Sequence, residues 1–171
     1  MKTRFQNAHY ILLLACVLSG GCLGYRLGTS LPPGIKTLHV PMFANRSDQP
    51  QIESEITGAV IREFQKDGTL KIVGKEDADA VLSATITKYE LLPVSYDSED
   101  RKRINEYRLC ITAEIAFTDR STGKPLLRRK LVGENYLQVQ GDITAAKSQA
   151  LPSAAADMAH NIVECVVDYW P

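Results

Sequence analysis

Apolar and polar residues alternate most regularly between Tyr107 and Thr118. Tyr107, Leu109, Ile111, Ala113, Ile115 and Phe117 fall on one side, and Arg108, Cys110, Thr112, Glu114 and Thr118 on the other. A period of two over that length predicts a strand with one face in a core and one in solvent. The turn residues Asp119-Arg120-Ser121-Thr122-Gly123 follow, and Pro125 to Leu137 predicts the returning hairpin partner. Ile35 to Val40 is a further strand, with Leu38 and Val40 set against Thr37 and His39 and ended by Pro41. The polar stretch from Ala44 to Gln49 reads as a loop, Leu70 to Val73 as a brief strand, and Asp79 to Leu92 as a long one interrupted by Pro93. From Val94 to Ile104 the chain is strongly polar, with Asp97-Ser98-Glu99-Asp100 against Arg101-Lys102-Arg103, as in a protruding loop or hairpin tip.

Two segments carry the helical period instead. Ile52, Ile56, Ala59, Val60 and Phe64 make one apolar face. Ser47 or Asp48 is placed to cap that helix, Pro50 to sit in its first turn, and Gly68 to stop it. Glu53 and Glu55 suit the positive end of its dipole. The second helix is expected from about Thr144 to Tyr169, burying Ala155, Ala159, Ile162, Val163, Val166 and Val167. Pro152 lies inside it, which predicts either a kink or a fresh start with the proline in a first turn. The order β-α-β-β-β-β-α predicts an α+β fold: two layers, a mostly antiparallel sheet of four to five strands, and both helices packed on one face.

The beginning of the chain has a different character. Lys2 and Arg4 precede the apolar run Ile11 to Leu18, and Ser19-Gly20-Gly21 leads into Cys22. An apolar run this short cannot span a bilayer, which takes about 20 residues of helix, and it matches the core of a signal peptide. A cysteine directly after small residues is what a lipoprotein signal peptidase requires, because the thiol accepts a diacylglyceryl group. Leu18 stands one place further from Cys22 than the usual pattern has it. Cys16, after Leu13-Leu14-Ala15, also fits locally but leaves a shorter apolar run, so Cys22 is the expected lipidation site; ordinary cleavage without a lipid is the plainer alternative. The expected division is a signal peptide over 1–21, a lipidated tether over 22–34 and one α+β domain over 35–171.

Composition narrows the function. Of 20 basic and 20 acidic side chains in the 171 residues, only Lys2 and Arg4 precede Cys22, so the mature part is slightly acidic. A general nucleic-acid binder needs the opposite balance to neutralise phosphates. Beyond the expected signal peptide the histidines are His39 and His160, far apart in sequence, and no metalloprotease, phosphate-loop or nucleophile-elbow motif accompanies them. Asp97, Glu99 and Asp100 lack the glycine and ligand spacing of a calcium loop. The reading is of a binding or assembly protein rather than an enzyme, with no cofactor and no metal. Cys110 and Cys165 have no CxxC spacing and read as free buried thiols, although an oxidising compartment would permit a disulfide. Two basic clusters, Arg101-Lys102-Arg103 and Arg128-Arg129-Lys130, flank the regular strand. Such side chains suit phosphate groups, and charged loop tips and strand faces also serve solubility.

Several features in order give the sequence a family likeness. Cys22 is followed by Gly24-Tyr25-Arg26-Leu27 and then Leu31-Pro32; Val40-Pro41-Met42-Phe43-Ala44-Asn45-Arg46-Ser47 precedes the first helix; Asp77-Ala78-Asp79-Ala80-Val81-Leu82 opens the long strand; and Glu106-Tyr107-Arg108-Leu109 opens the regular one. With Asp119 and Gly123 at the hairpin, the chain resembles the LptE family of lipopolysaccharide-assembly lipoproteins over essentially its whole mature length. The displaced Leu18 and the helical Pro152 depart from that pattern. The resemblance implies an outer-membrane lipoprotein on the periplasmic side that sits partly inside the LptD β-barrel, helps it fold, and takes part in lipopolysaccharide transport. It also implies lipopolysaccharide contact by basic residues in comparable regions, here Arg101, Arg103, Arg128, Arg129 and Lys130. An α+β lipoprotein serving another envelope transport or secretion complex is the competing reading.

Overall fold

The computed structural model describes residues 31–96, 104–138 and 142–168. Strands β1 (Thr37–His39) and β2 (Ala44–Asn45) are followed by helix α1 (Glu53–Asp67), β3 (Lys71–Ile72) and a short 3-10 turn (Lys75–Asp77). The long strands β4 (Ala80–Tyr96), β5 (Ile104–Asp119) and β6 (Pro125–Gln138) come next, and helix α2 (Ile143–Val167) closes the domain. The sheet runs β3-β1-β4-β5-β6, with β2 paired to β4. The large ladders, β4 with β5 and β5 with β6, are antiparallel, and the short strands join in parallel. Both helices lie on one face, as expected.

The core follows from the alternation in β5. Leu109, Ile111, Ala113, Ile115 and Phe117 are buried against α1 residues Ile56, Val60 and Phe64 and α2 residues Ala155, Met158, Ile162 and Val166. Gly133 of β6 lets α2 approach so closely that a Cβ there would meet Met158 Cβ at 2.5 Å and Ala154 O at 2.7 Å. That approach also closes part of a sheet edge. Asp157 Oδ2 accepts from the Glu134 N–H at 2.8 Å, and Asn161 Nδ2 donates to the Val132 carbonyl at 2.9 Å. Two backbone groups that an edge strand would leave to a foreign strand are thereby occupied.

Local punctuation differs from expectation in three places. Helix α1 starts at Glu53 with Ile52 as its cap residue and no side-chain cap bond. Ser47 and Asp48 therefore lie outside it, and Pro50 is not in its first turn. Asn45 organises that loop instead: its side-chain amide donates to Gln49 O and Glu53 Oε2, and its Oδ1 accepts from Ser47. The same loop contributes β2, too short to show a period. Strand β4 continues through Pro93, paired with Tyr107 beside a register shift; among the described residues no strand pairs its other side there, where a missing N–H costs no ladder bond. Gly68 ends α1 as expected, at φ 77° with its N–H on Phe64 O. Helix α2 is continuous through Pro152, and Asp142 caps it through Thr144 N.

Asp79 ties the two ends of the motif together. Its Oδ2 accepts from Lys36 N, Thr37 N and Thr37 Oγ1 at 2.8–2.9 Å, and these bonds, the Lys36 N–H first, hold its carboxyl below the usual range. Leu31 to Ile35 thus enter at the end of the sheet that carries the Asp119–Gly123 turn. Tyr96 and Ile104, the paired ends of β4 and β5, lie at the opposite end.

Candidate functional site

The helices cover one face of the β4–β5–β6 sheet, and among the described residues nothing packs over the other, here called the uncovered face. Cross-strand register defines the uncovered face in rows: Ser83, Ala116 and Arg128; Thr85, Glu114 and Lys130; Lys88, Thr112 and Val132; Glu90, Cys110 and Glu134; Leu92, Arg108 and Tyr136. Small residues of the central strand lie low in this face, Thr112 and Cys110 being buried, while longer side chains of the flanking strands stand over them. The face is polar with three large exposed apolar side chains, Leu92 at 40%, Val132 at 44% and Tyr136 at 51%. They are separated rather than fused into one patch, a texture suited to a polar partner surface.

Arg108 is the electrostatic centre of the upper half. Its Nη1 lies 3.2 Å from Glu134 Oε2, and its Nε is buried without a hydrogen-bond partner among the described residues. The neighbouring Cys110 first, and Glu134 second, hold the guanidinium in its charged form. Burial in turn pushes the Cys110 thiol up, against the pull of Arg108. A thiol so held is a poor nucleophile. Cys165 stands on α2 on the other side of the sheet, and both cysteines are free.

The structure divides the second basic cluster. Arg128 and Lys130 lie on the uncovered face over a shallow groove of ≈ 380 Å³. Arg129 pairs with buried Ile115 and so points to the helix-bearing side, where its charge acts on Cys165. Consecutive residues of a strand face opposite ways, so three cations in a row make two sites. Arg101, Arg103 and Cys22 lie outside the described residues. Among the described residues, no group of three or more His, Cys, Asp or Glu is placed to hold a metal ion, and no helix is long and apolar enough to cross a membrane. His39 and His160 have different neighbours: His39 contacts the Val73 carbonyl through Nδ1 at 3.3 Å, and His160 approaches Glu63 at 3.8 Å. The residues that sequence reasoning passed over, Arg108, Tyr136, Ser83 and Thr85, could have been found by pairing the three long strands in register.

The fold is a two-layer α+β domain found in bacterial proteins of known structure, a lipoprotein among them. A protein of Xanthomonas campestris from family DUF330 shares it at 12% identity and a TM-score of 0.60, over 81% of this chain and 90% of that one. A hypothetical protein of Chlamydia trachomatis does so at 10% identity and 0.56, over 79% and 97%, and a minor lipoprotein of Acinetobacter baumannii at 14% and 0.52, over 78% and 93%. No curated protein matches the sequence at a significant level. The model of the LptE family, lipopolysaccharide-assembly, matches residues 35–166, and the chain belongs to that family.

Proposed function

We infer that this protein is a non-enzymatic subunit that plugs an LptD-like outer-membrane β-barrel, helps it assemble, and takes part in moving lipopolysaccharide to the cell surface. The observation that carries the reading is the uncovered face of β4–β5–β6. It is polar enough to match a barrel lumen, which is itself polar. A lipid on Cys22 would hold the domain at the periplasmic side of the outer membrane. Arg101, Arg103, Arg128, Arg129 and Lys130 are the residues assigned to lipopolysaccharide contact in this reading.

Affinity recovery of the full-length tagged protein from detergent-solubilised outer membranes tests it. Stoichiometric recovery of a large β-barrel is the expected result. Recovery of a different envelope complex, or of no partner, would replace the reading with that of an accessory lipoprotein of another machine. Replacing all five cations by Ser should abolish lipopolysaccharide retention, and unchanged retention would remove that assignment.

A further inference from the structure

The sheet ends on two strands, β3 and β6. Strand β3 has 2 residues and offers almost no edge, whereas β6 has 14. Three contacts show which backbone groups of β6 face away from β5. The Val132 carbonyl and the Glu134 N–H are taken by side chains of α2, and the Arg128 carbonyl accepts from the Arg129 guanidinium at 3.2 Å. These residues are all even-numbered, and the register from Arg128 to Glu134 runs without a shift. Alternate residues of an antiparallel pair turn both backbone groups outward, so Lys130 does the same. Helix α2 thus closes the edge at Val132 and Glu134. Before that point, among the described residues, the Arg128 and Lys130 N–H groups and the Lys130 carbonyl have no partner.

The open stretch has a defined chemistry. Between Gly123 and Gly133 the chain carries Lys124, Arg128, Arg129 and Lys130 and no carboxylate. Charged side chains keep apolar strands off an exposed edge. They select an acidic one, because opposite charges across a strand pair stabilise it and like charges destabilise it. The same rule disfavours a second copy of this edge, which would set the basic triplet against itself. On the helix side the shoulder of the edge is apolar: Leu127 is buried, and Leu131 and Cys165 pack half-buried against the core. We propose that β6 over residues 127–131 accepts an extended segment of a partner protein as an added strand. Its acidic side chains would lie on the face of Arg128 and Lys130, and its apolar ones on the face of Leu127 and Leu131. Main-chain hydrogen bonds supply the affinity of such strand addition, and the alternating side chains supply its specificity. The proposal concerns the backbone of the edge and depends neither on the barrel reading nor on lipopolysaccharide contact.

The test uses the full-length protein in non-ionic detergent and a short fluorescent peptide of alternating Glu and Val, with binding read by anisotropy. Binding is expected, weakened by salt and accompanied by slower hydrogen exchange at the Arg128 and Lys130 N–H groups. A strand turns every second N–H toward its neighbour. N-methylation of one alternate set of peptide nitrogens should therefore weaken binding about tenfold, and methylation of the other set should leave it unchanged. Lys130→Pro removes an outward N–H and no ladder bond, so it should abolish binding, while Lys66→Ser on α1 should not. Should Lys130→Pro lower the melting temperature, the methylated peptides decide the question on the unaltered protein. Equal effects of the two methylation patterns would overturn the proposal and reduce the contact to charge alone. Equal binding of a peptide of alternating Lys and Val, or self-association through β6 in place of peptide binding, would overturn it too. The peptide result and the recovery of a β-barrel are separate readouts, so either can fail while the other stands.

Discussion

The two faces of the β4–β5–β6 sheet obey the same alternation and answer to different demands. On the helix side, Leu82, Ile86, Leu109, Ile111 and Phe117 are wholly removed from solvent, and their shapes are constrained by two helices. On the other side, the same strands present Ser83, Thr85, Glu114, Arg128, Lys130 and Tyr136, with none of the described residues packed over them. A core face is specified by volume, so almost any change there registers as stability. An uncovered face is specified by charge and hydrogen bonding, and changes there should register as binding.

The largest separation should come from Phe117→Ala, which removes a ring buried to 0% exposure and should cost about 3–5 kcal/mol in chemical denaturation. Gly133→Val should be next. Its side chain would collide with Met158 and Ala154, and overpacking of this kind costs about 1–3 kcal/mol. It should also loosen the Asp157 and Asn161 bonds to the β6 edge, which hydrogen exchange at Glu134 N would register. Smaller is the pH dependence contributed by Asp79. Its folded pKa lies below the unfolded value of about 3.9, so it stabilises above that value and the contribution is lost as pH falls through the folded pKa. Asp79→Asn should therefore lower the melting temperature at neutral pH and reduce its fall on acidification below about pH 4. Smallest is Val132→Thr on the uncovered face, expected to change stability by no more than about 0.5 kcal/mol. A large loss there would mean that this face also serves the core.

Much of this division is written in the sequence. The period of two from Tyr107 to Phe117 separates the faces correctly, and the helical period of α1 and of the second half of α2 finds the residues that meet the core. Punctuation is less legible. Ser47 and Asp48 have the chemistry of caps, yet Asn45 draws that loop into its own hydrogen bonds and the helix begins later. Pro93 forbids a central-strand ladder bond, and only the sheet order reveals that no described strand pairs the far side of β4 there. The basic triplet reads as one cluster because adjacency along a strand hides the opposite directions of Arg128 and Arg129. Gly133 carries no periodic signal at all, because its role depends on Met158, 25 residues later. The groove of Ser83, Glu114 and Lys130 likewise exists only once three strands are set in register.

The central claim, that the uncovered face is the docking surface, is tested most directly by site-specific photocrosslinking in intact cells. A photoreactive residue would be placed in turn at Thr85, Val132 and Tyr136, in the full-length protein expressed at its natural level. The account predicts crosslinks from these positions to a single large outer-membrane β-barrel. Crosslinks to some other protein, or none from any of the three while the protein is folded and membrane-bound, would contradict it.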